Sequence, residues 1–362
     1  MRLISPLLKR VVYPVLSRTG YLRTRARYGQ LCVVTYHGVK PDGYVSSDPM
    51  LDGSLVTPDV LRRQLRLLKS QYVVISPERL LEWLQTGRAL PSRAVLLTCD
   101  DGLRNTLTDM LPILQEENLS CLFFVTGASV EETPEMLWYE QLYLLLQNAP
   151  PGPIEIADPD LRDGTERRGN RRALWWNLVK RLSRRDQQGR SRFMQETSGR
   201  LGLREDWIKE HTQEPAKARR FLLLTSSELR QLAAQGMTIG AHTLSHPFLS
   251  QSSTESVKRE IAEGRPVLEN VLGRKIWALA YPFGSPGSLG IREVELAKAA
   301  GYAAAFVNVG GGFGADLQLF ALPRVHVTAD MTLGEFDAHV SGFYRAFRKP
   351  ATIFAARSNG VV

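Results

Sequence analysis

The chain has 362 residues, 43% of them apolar and 23% charged, with 46 Lys+Arg against 37 Asp+Glu. These proportions exclude a disordered, collagen-like or coiled-coil polymer, and no run of 18 uncharged apolar residues provides a membrane-spanning helix. The positive charge is confined to residues 1–30 and 162–220 while the rest of the chain is mildly acidic, so no nucleic acid is expected as a partner.

The first 22 residues read MRLISPLLKRVVYPVLSRTGYL. Leu3, Leu7, Val11 and Val15 share one helical stripe, Ile4, Leu8, Val12 and Leu16 lie beside it, and Lys9, Arg10 and Arg18 fall elsewhere. Such a basic amphipathic segment, taken as residues 1–30, suits either an anionic membrane surface or packing on the domain that follows. Pro14 shortens or bends it, and it lacks the apolar core and small-residue cleavage site of a secretory signal.

From Leu31 a rhythm begins in which a short apolar run is followed by special residues and then by a helical stretch. The runs are LCVVTY (31–36), YVVI (72–75), AVLLT (94–98), CLFFV (121–125), MTIG (237–240), IWALA (276–280), AAAFV (303–307) and FALPRV (320–325). Helical periodicity occupies 58–70, 77–87, 106–118, 226–236, 254–272 and 291–300. Apolar strands alternating with amphipathic helices predict an α/β fold, a distorted (β/α) barrel of seven or eight parallel strands over residues 31–345, with 346–362 as a C-terminal tail. Residues 130–220 break the rhythm and predict a helical, basic insertion, in which Leu174, Leu178 and Leu182 line one helix face. Cys32, Cys99 and Cys121 lie in or beside the apolar runs, and an odd, low count there predicts reduced core thiols in a reducing compartment.

Residues just past the strand C-termini of a parallel barrel meet at one mouth. His37, the pair Asp100-Asp101, His242, the stretch Pro282-Phe283-Gly284, Asn308, Arg324 and His326 all occupy such positions. In HTLSHP, His242 and His246 are four apart and can face one ion from a single turn. Two imidazoles and one carboxylate form a usual ligand set for a catalytic Zn²⁺ or another divalent transition metal with an open position, leaving a second aspartate for acid–base work. Each piece alone is commonplace, since a DDG is usually a turn and an HxxxH is usually incidental.

Taken together, TCDDG (98–102) and HTLSHP (242–247) resemble the first two motifs of the polysaccharide deacetylases, the NodB-homology group of carbohydrate esterase family 4. AYPFG (280–284) is similar to the third motif of that family and LPRVHV (322–327) to the closing one, while VVTYHGV (33–39) resembles the Tyr-His segment of the exopolysaccharide branch. The resemblance implies a NodB-like barrel and a metal-dependent hydrolase that removes N-acetyl groups from a poly- or oligosaccharide. It implies Asp101, His242 and His246 as metal ligands, Asp100 as the general base, and a backbone N–H near Phe283 as an oxyanion donor.

Two departures from the family leave alternatives open. The closing motif lacks the usual Leu-x-His spacing, so His37 is preferred over His326 as the acid that protonates the departing amine. Ala280 replaces the arginine that orients the base, and Arg324 is the candidate substitute, a purely structural ion pair being the competing reading. Cys99, in place of an aromatic residue, reads as a packing residue. Other amide or O-acetyl ester hydrolysis, and a silent carbohydrate-binding relative, remain the alternative functions. GGGFG (310–314) lacks dinucleotide-binding spacing and no Ser-centred elbow occurs. Without an export signal, the expected location is the cytoplasm, either free or held peripherally at the inner membrane face.

Overall fold

Every apolar run becomes a strand of one sheet. The computed structural model describes residues 6–22, 31–45, 48–127, 135–156, 158–162, 170–204, 206–309 and 319–346. Its strands are β1 (Cys32–Tyr36), β2 (Val73–Ile75), β3 (Ala94–Cys99), β4 (Leu122–Val125), β5 (Thr238–Ala241), β6 (Ala278–Ala280), β7 (Ala304–Val307), β8 (Leu322–Pro323) and β9 (Val325–His326). All pair in parallel, in the order β8-β7-β6-β5-β4-β3-β1-β9. β8 and β9 are two halves of one segment interrupted at Arg324. The first half pairs with β7 and the second with β1, so this segment bridges the two ends of the sheet and nearly closes the barrel. β2 pairs with the start of β3, whereas β4 takes its end.

The period-two alternation of the strands sorts their side chains into two cores. Val33, Leu96, Leu122, Phe124, Ala280, Phe306 and Leu322 fill the barrel interior. Their neighbours Val34, Tyr36, Val95, Leu97 and Phe123 face outward, where the helices cover them. The interior mixes small and large residues: Phe124 and Phe306 pack at 5.3 Å between ring centroids. A Cβ on Gly240 of β5 would come within 2.6 Å of the Phe124 ring, so this glycine makes room for an aromatic residue.

The surrounding helices begin where capping chemistry places them. α1 (Tyr13–Arg18) lies at the N-terminus. α2 (Pro58–Gln71) and α3 (Pro77–Thr86) start after Thr57 and Ser76, whose hydroxyls accept N–H groups of the first turn. A π-helical turn, Thr106–Met110, leads into α4 (Leu111–Glu116).

The insertion supplies α5 (Trp138–Asn148), α6 (Arg171–Leu182) and α7 (Gln187–Arg200). α8 (Ser226–Ala234) has a capping box between Thr225 and Glu228, and α9 (Thr254–Leu272), α10 (Ile291–Ala299) and α11 (Leu333–Val340) complete the set discussed below.

α1 packs on α11. A Cβ on Gly334 would lie 2.6 Å from the Pro14 nitrogen, and Tyr13, Leu22 and Ala338 share a buried cluster. Lys9 pairs with Asp330 at 2.8 Å. Of the two readings of this segment, packing on the domain is therefore realised, while Leu7, Val11 and Val15 stay exposed. No helix among the described residues is long and apolar enough to cross a membrane. GGGFG (310–314), the C-terminal tail beyond residue 346 and residues 23–30 lie outside the described residues.

The insertion has its own core. Leu142, Leu145 and Leu146 of α5 meet Leu174, Trp175, Leu178 and Leu182 of α6 and Phe193 and Met194 of α7, and Phe283 from the barrel mouth packs against this cluster. Its position over the mouth is fixed by Arg220, a fully buried side chain. Arg220 donates to Asp52 at 2.7 Å and to both carboxylate oxygens of Glu140 at 2.8 and 3.2 Å, and also to the Leu51 carbonyl.

Candidate functional site

The residues singled out in the sequence converge where β1, β3, β5 and β6 end. Asp100 and Asp101 follow β3, and the main chain turns sharply there, with Asp101 at φ 76° and Gly102 also at φ 76°. HTLSHP is not helical. His242 continues β5, its N–H bonded to the Val125 carbonyl, and the chain then folds through a loop in which Thr243 and His246 have φ of 62° and 56°. Phe283 stands at φ 61°. Four of the six described non-glycine residues with positive φ thus belong to the site, a concentration of backbone strain that the surrounding packing sustains.

That packing is specific. Glu260 of α9 accepts hydrogen bonds from the Leu244 and Ser245 N–H groups at 3.0 and 2.8 Å and from the Ser245 hydroxyl at 2.5 Å. A Cβ on Gly264 would sit 3.0 Å from the Thr243 carbonyl carbon, so the glycine lets α9 lie directly against the loop. Trp138 of the insertion donates its indole N–H to the His246 carbonyl at 3.0 Å.

The loop therefore delivers His246 to the same place as His242. Their Nε2 atoms lie 3.4 and 3.5 Å from Asp101 Oδ1, and one ligand atom from each of the three residues falls within 4.8 Å of the others. His242 Nδ1 is 2.7 Å from the Ala280 carbonyl, which places the proton on Nδ1 and leaves the Nε2 lone pair facing Asp101. His246 Nδ1 is buried without a partner. Burial works against the Asp101 charge, but the two imidazoles beside it more than reverse it and hold the carboxyl well below its ordinary value. One carboxylate and two imidazoles, all buried, match the donor set of a divalent transition-metal site with an open position.

Asp100 points to a different partner. Arg324 Nη1 and Nη2 each donate to one carboxylate oxygen at 2.6 Å, and both side chains are buried. Burial alone would raise the Asp100 pKa; the bidentate guanidinium outweighs it and keeps the carboxyl below the usual range. Arg324 reaches this point because the β8–β9 segment breaks there, above the Phe124 ring at 5.4 Å.

His37 Nε2 lies 3.9 Å from Asp100 Oδ2, and the His37 and His326 rings meet edge to face at 4.7 Å. Burial, then the neighbouring His37, push the His326 imidazole down to about 3. Cys99 is fully buried and its thiol pKa is pushed well up by burial, as suits a packing residue; none of the three cysteines forms a disulfide. Phe283 packs its ring 4.9 Å from His246, and its N–H makes no hydrogen bond among the described residues.

Several contributors lack any signal in the sequence. Tyr139 of α5 covers His246, its ring 4.9 Å away, and touches Phe283 at 5.6 Å. Glu260, Trp138 and Gly264 support the loop. A motif-based reading does not find them because each acts through position in space.

A family model described as polysaccharide deacetylase matches residues 87–142 and 203–305, on either side of most of the insertion. The curated Bacillus subtilis protein YxkH is 24% identical over 117 residues, which is 32% of this chain and 41% of that protein. The matched region thus spans about two fifths of that relative. Among solved structures, the Streptococcus pyogenes deacetylase PplD is similar with a TM-score of 0.53 and 16% identity over 85% of this chain and 97% of that one. A de-N-acetylase from Aggregatibacter actinomycetemcomitans gives 0.54 and 13% over 86% of this chain and 99% of that one. At these identities the structural likeness concerns the fold.

Proposed function

Because this chain belongs to the polysaccharide deacetylase family, we propose that it removes N-acetyl groups from an N-acetylated saccharide, with Asp101, His242 and His246 holding a divalent transition metal such as Zn²⁺. The observation that carries this reading is the junction of two separately built units at one barrel mouth: the three-ligand cluster and, on the adjacent residue, a carboxylate locked to Arg324. A bound divalent ion supplies Lewis acidity, which lowers the pKa of water and polarises an acyl oxygen.

The chain's own groups do the rest. Asp100, kept ionised and oriented by the Arg324 fork, takes the proton of the attacking water. The free Phe283 N–H is a donor for the oxyanion that develops on the acetamide. His37 delivers a proton to the departing amine. His326 is unsuited to that task, since an imidazole pushed down to about 3 is neutral at pH 7. Tyr139, Phe283 and Trp176 form an aromatic wall over the ligands that excludes water and offers faces for sugar rings.

The test is acetate release from a panel of N-acetylated oligosaccharides by the metal-loaded protein, before and after chelation. Release that stops on chelation and returns with metal is the expected result. A protein that binds no stoichiometric metal and yet hydrolyses the panel would overturn the reading. The acid assignment has a separate test on the same substrates. His37→Ala lowers kcat by about 10²-fold or more, whereas His326→Ala costs less than about tenfold; the reverse order would exchange the two roles.

A further inference from the structure

Beside the site, between α7 of the insertion and the barrel mouth, lies a cavity of about 570 Å³ whose wall includes His246, Ser245, Trp138, Met194 and Arg190. Its volume is in the range of cavities that hold small organic ligands. Arg190 is only 2% exposed. Its guanidinium lies 4.9 Å from the centroid of the Trp138 ring, and Nη2 donates to Ser245 Oγ. Nε and Nη1 have no hydrogen-bond partner among the described residues.

This arginine is used differently from the other two buried ones. Arg220 is saturated by two carboxylates and a carbonyl, and Arg324 spends both terminal nitrogens on Asp100. Among the described residues Arg190 meets no carboxylate directly: Glu260 stands behind Ser245 and receives that hydroxyl. Unfilled N–H donors on a buried cation are costly, and an arginine leaves them open to good effect where a partner arrives from outside. The vacant Nε and Nη1 lie on opposite edges of the guanidinium, and on either edge the second N–H of Nη2 completes a pair of donors for the oxygens of a carboxylate or phosphate. Among the described residues that line the cavity, Glu135 is the one carboxylate, and it is exposed.

We propose that Arg190 binds an anionic group, a carboxylate or phosphate carried on the saccharide beside the N-acetylated sugar, so that the basic insertion selects an acidic glycan. Trp138 orders the guanidinium from one side and, through its bond to the His246 carbonyl, couples this subsite to the metal-binding loop. Arg190 acts on substrate choice, distinct from the groups that carry the hydrolysis. The inference rests on the deacetylase reading above.

Three N-acetylglucosamine oligomers of equal length test it: one neutral, one alternating with glucuronate, and one ending in a 1-phosphate. The wild-type protein is expected to favour one acidic oligomer over the neutral one by about tenfold or more in kcat/KM, as a charge-assisted bond gives. The arm that wins identifies carboxylate or phosphate. Arg190→Gln lowers the acidic-to-neutral ratio about tenfold, and Arg190→Lys restores part of it, a pattern that general loosening of the insertion does not produce. Equal kcat/KM for all three oligomers, or a ratio unmoved by Arg190→Gln, overturns the proposal. If no oligomer is hydrolysed, the deacetylase reading fails separately, and calorimetric titration of glucuronate and methyl phosphate onto the full chain still decides the subsite. Binding that Arg190→Gln abolishes supports the anion subsite, and no binding of either probe overturns it.

Discussion

Asp100→Asn lowers the rate of acetate release by about 10³-fold while the protein still takes up one equivalent of metal. The magnitude follows from removing a positioned general base, which contributes about 10² to 10⁴. Metal uptake is expected to persist because the proposed ligands are the next residue and two histidines of another loop. The variant also carries a structural cost. The Arg324 fork loses the charge it encloses at 2.6 Å on both arms, and an amide oxygen can accept only one of the two bonds as before. Leaving one member of a buried pair unmatched costs about 3 kcal/mol.

Activity, metal content and denaturant midpoint should therefore be measured on one preparation. A variant that retains more than a tenth of the wild-type rate would remove Asp100 from the chemistry. The wild-type pair also has a predictable pH dependence. Because the folded pKa of Asp100 is depressed, its stabilisation is complete above the ordinary aspartate value of about 3.9 and is lost as pH falls through the lower folded value.

Arg220→Met destabilises the fold by about 3–5 kcal/mol, the largest stability effect expected of a single substitution outside the mouth. The side chain bridges Asp52 and Glu140, both buried. Without the guanidinium, two carboxylates face each other in the interior with no cation between them, and each retains its charge only at the cost of repulsion and lost hydration. Burial already raises the Glu140 carboxyl against the pull of Arg220, so without the guanidinium it rises further. The deficit is therefore small in acid and grows as pH climbs through that raised value, so urea midpoints of wild type and variant should diverge more at pH 8 than at pH 5. Equal divergence at both would mean that the two carboxylates do not lean on Arg220. Since Glu140 belongs to the helix that also carries Trp138 and Tyr139, loosening this junction should also lower activity.

Much of this protein was legible from its chain alone, for reasons that are local. Strand identity in LCVVTY or AVLLT follows from a short continuous apolar run and helix identity in 58–70, 77–87 and 226–236 from periodicity, and both need only neighbours a few positions away. The Asp-Asp and His-x-x-x-His pairs were visible for the same reason: ligand chemistry is written in residue type and short spacing.

What the chain could not disclose depends on distance covered in space. Arg324 was only one of two readings until closure of the barrel set it against Asp100, 224 positions away. HTLSHP reads as one turn of a helix, yet it is an irregular loop with two left-handed residues, because Glu260, Gly264 and Trp138 from three separate positions sustain a strained backbone that local preference would reject. Basic composition marked the insertion as a whole; only its packing over the mouth buries Arg190 and Arg220 and sends one to a cavity and the other to carboxylates. Periodicity assigns a residue to a face, but which residue meets it across that face is decided by the register and closure of the barrel, and these depend on the whole chain at once.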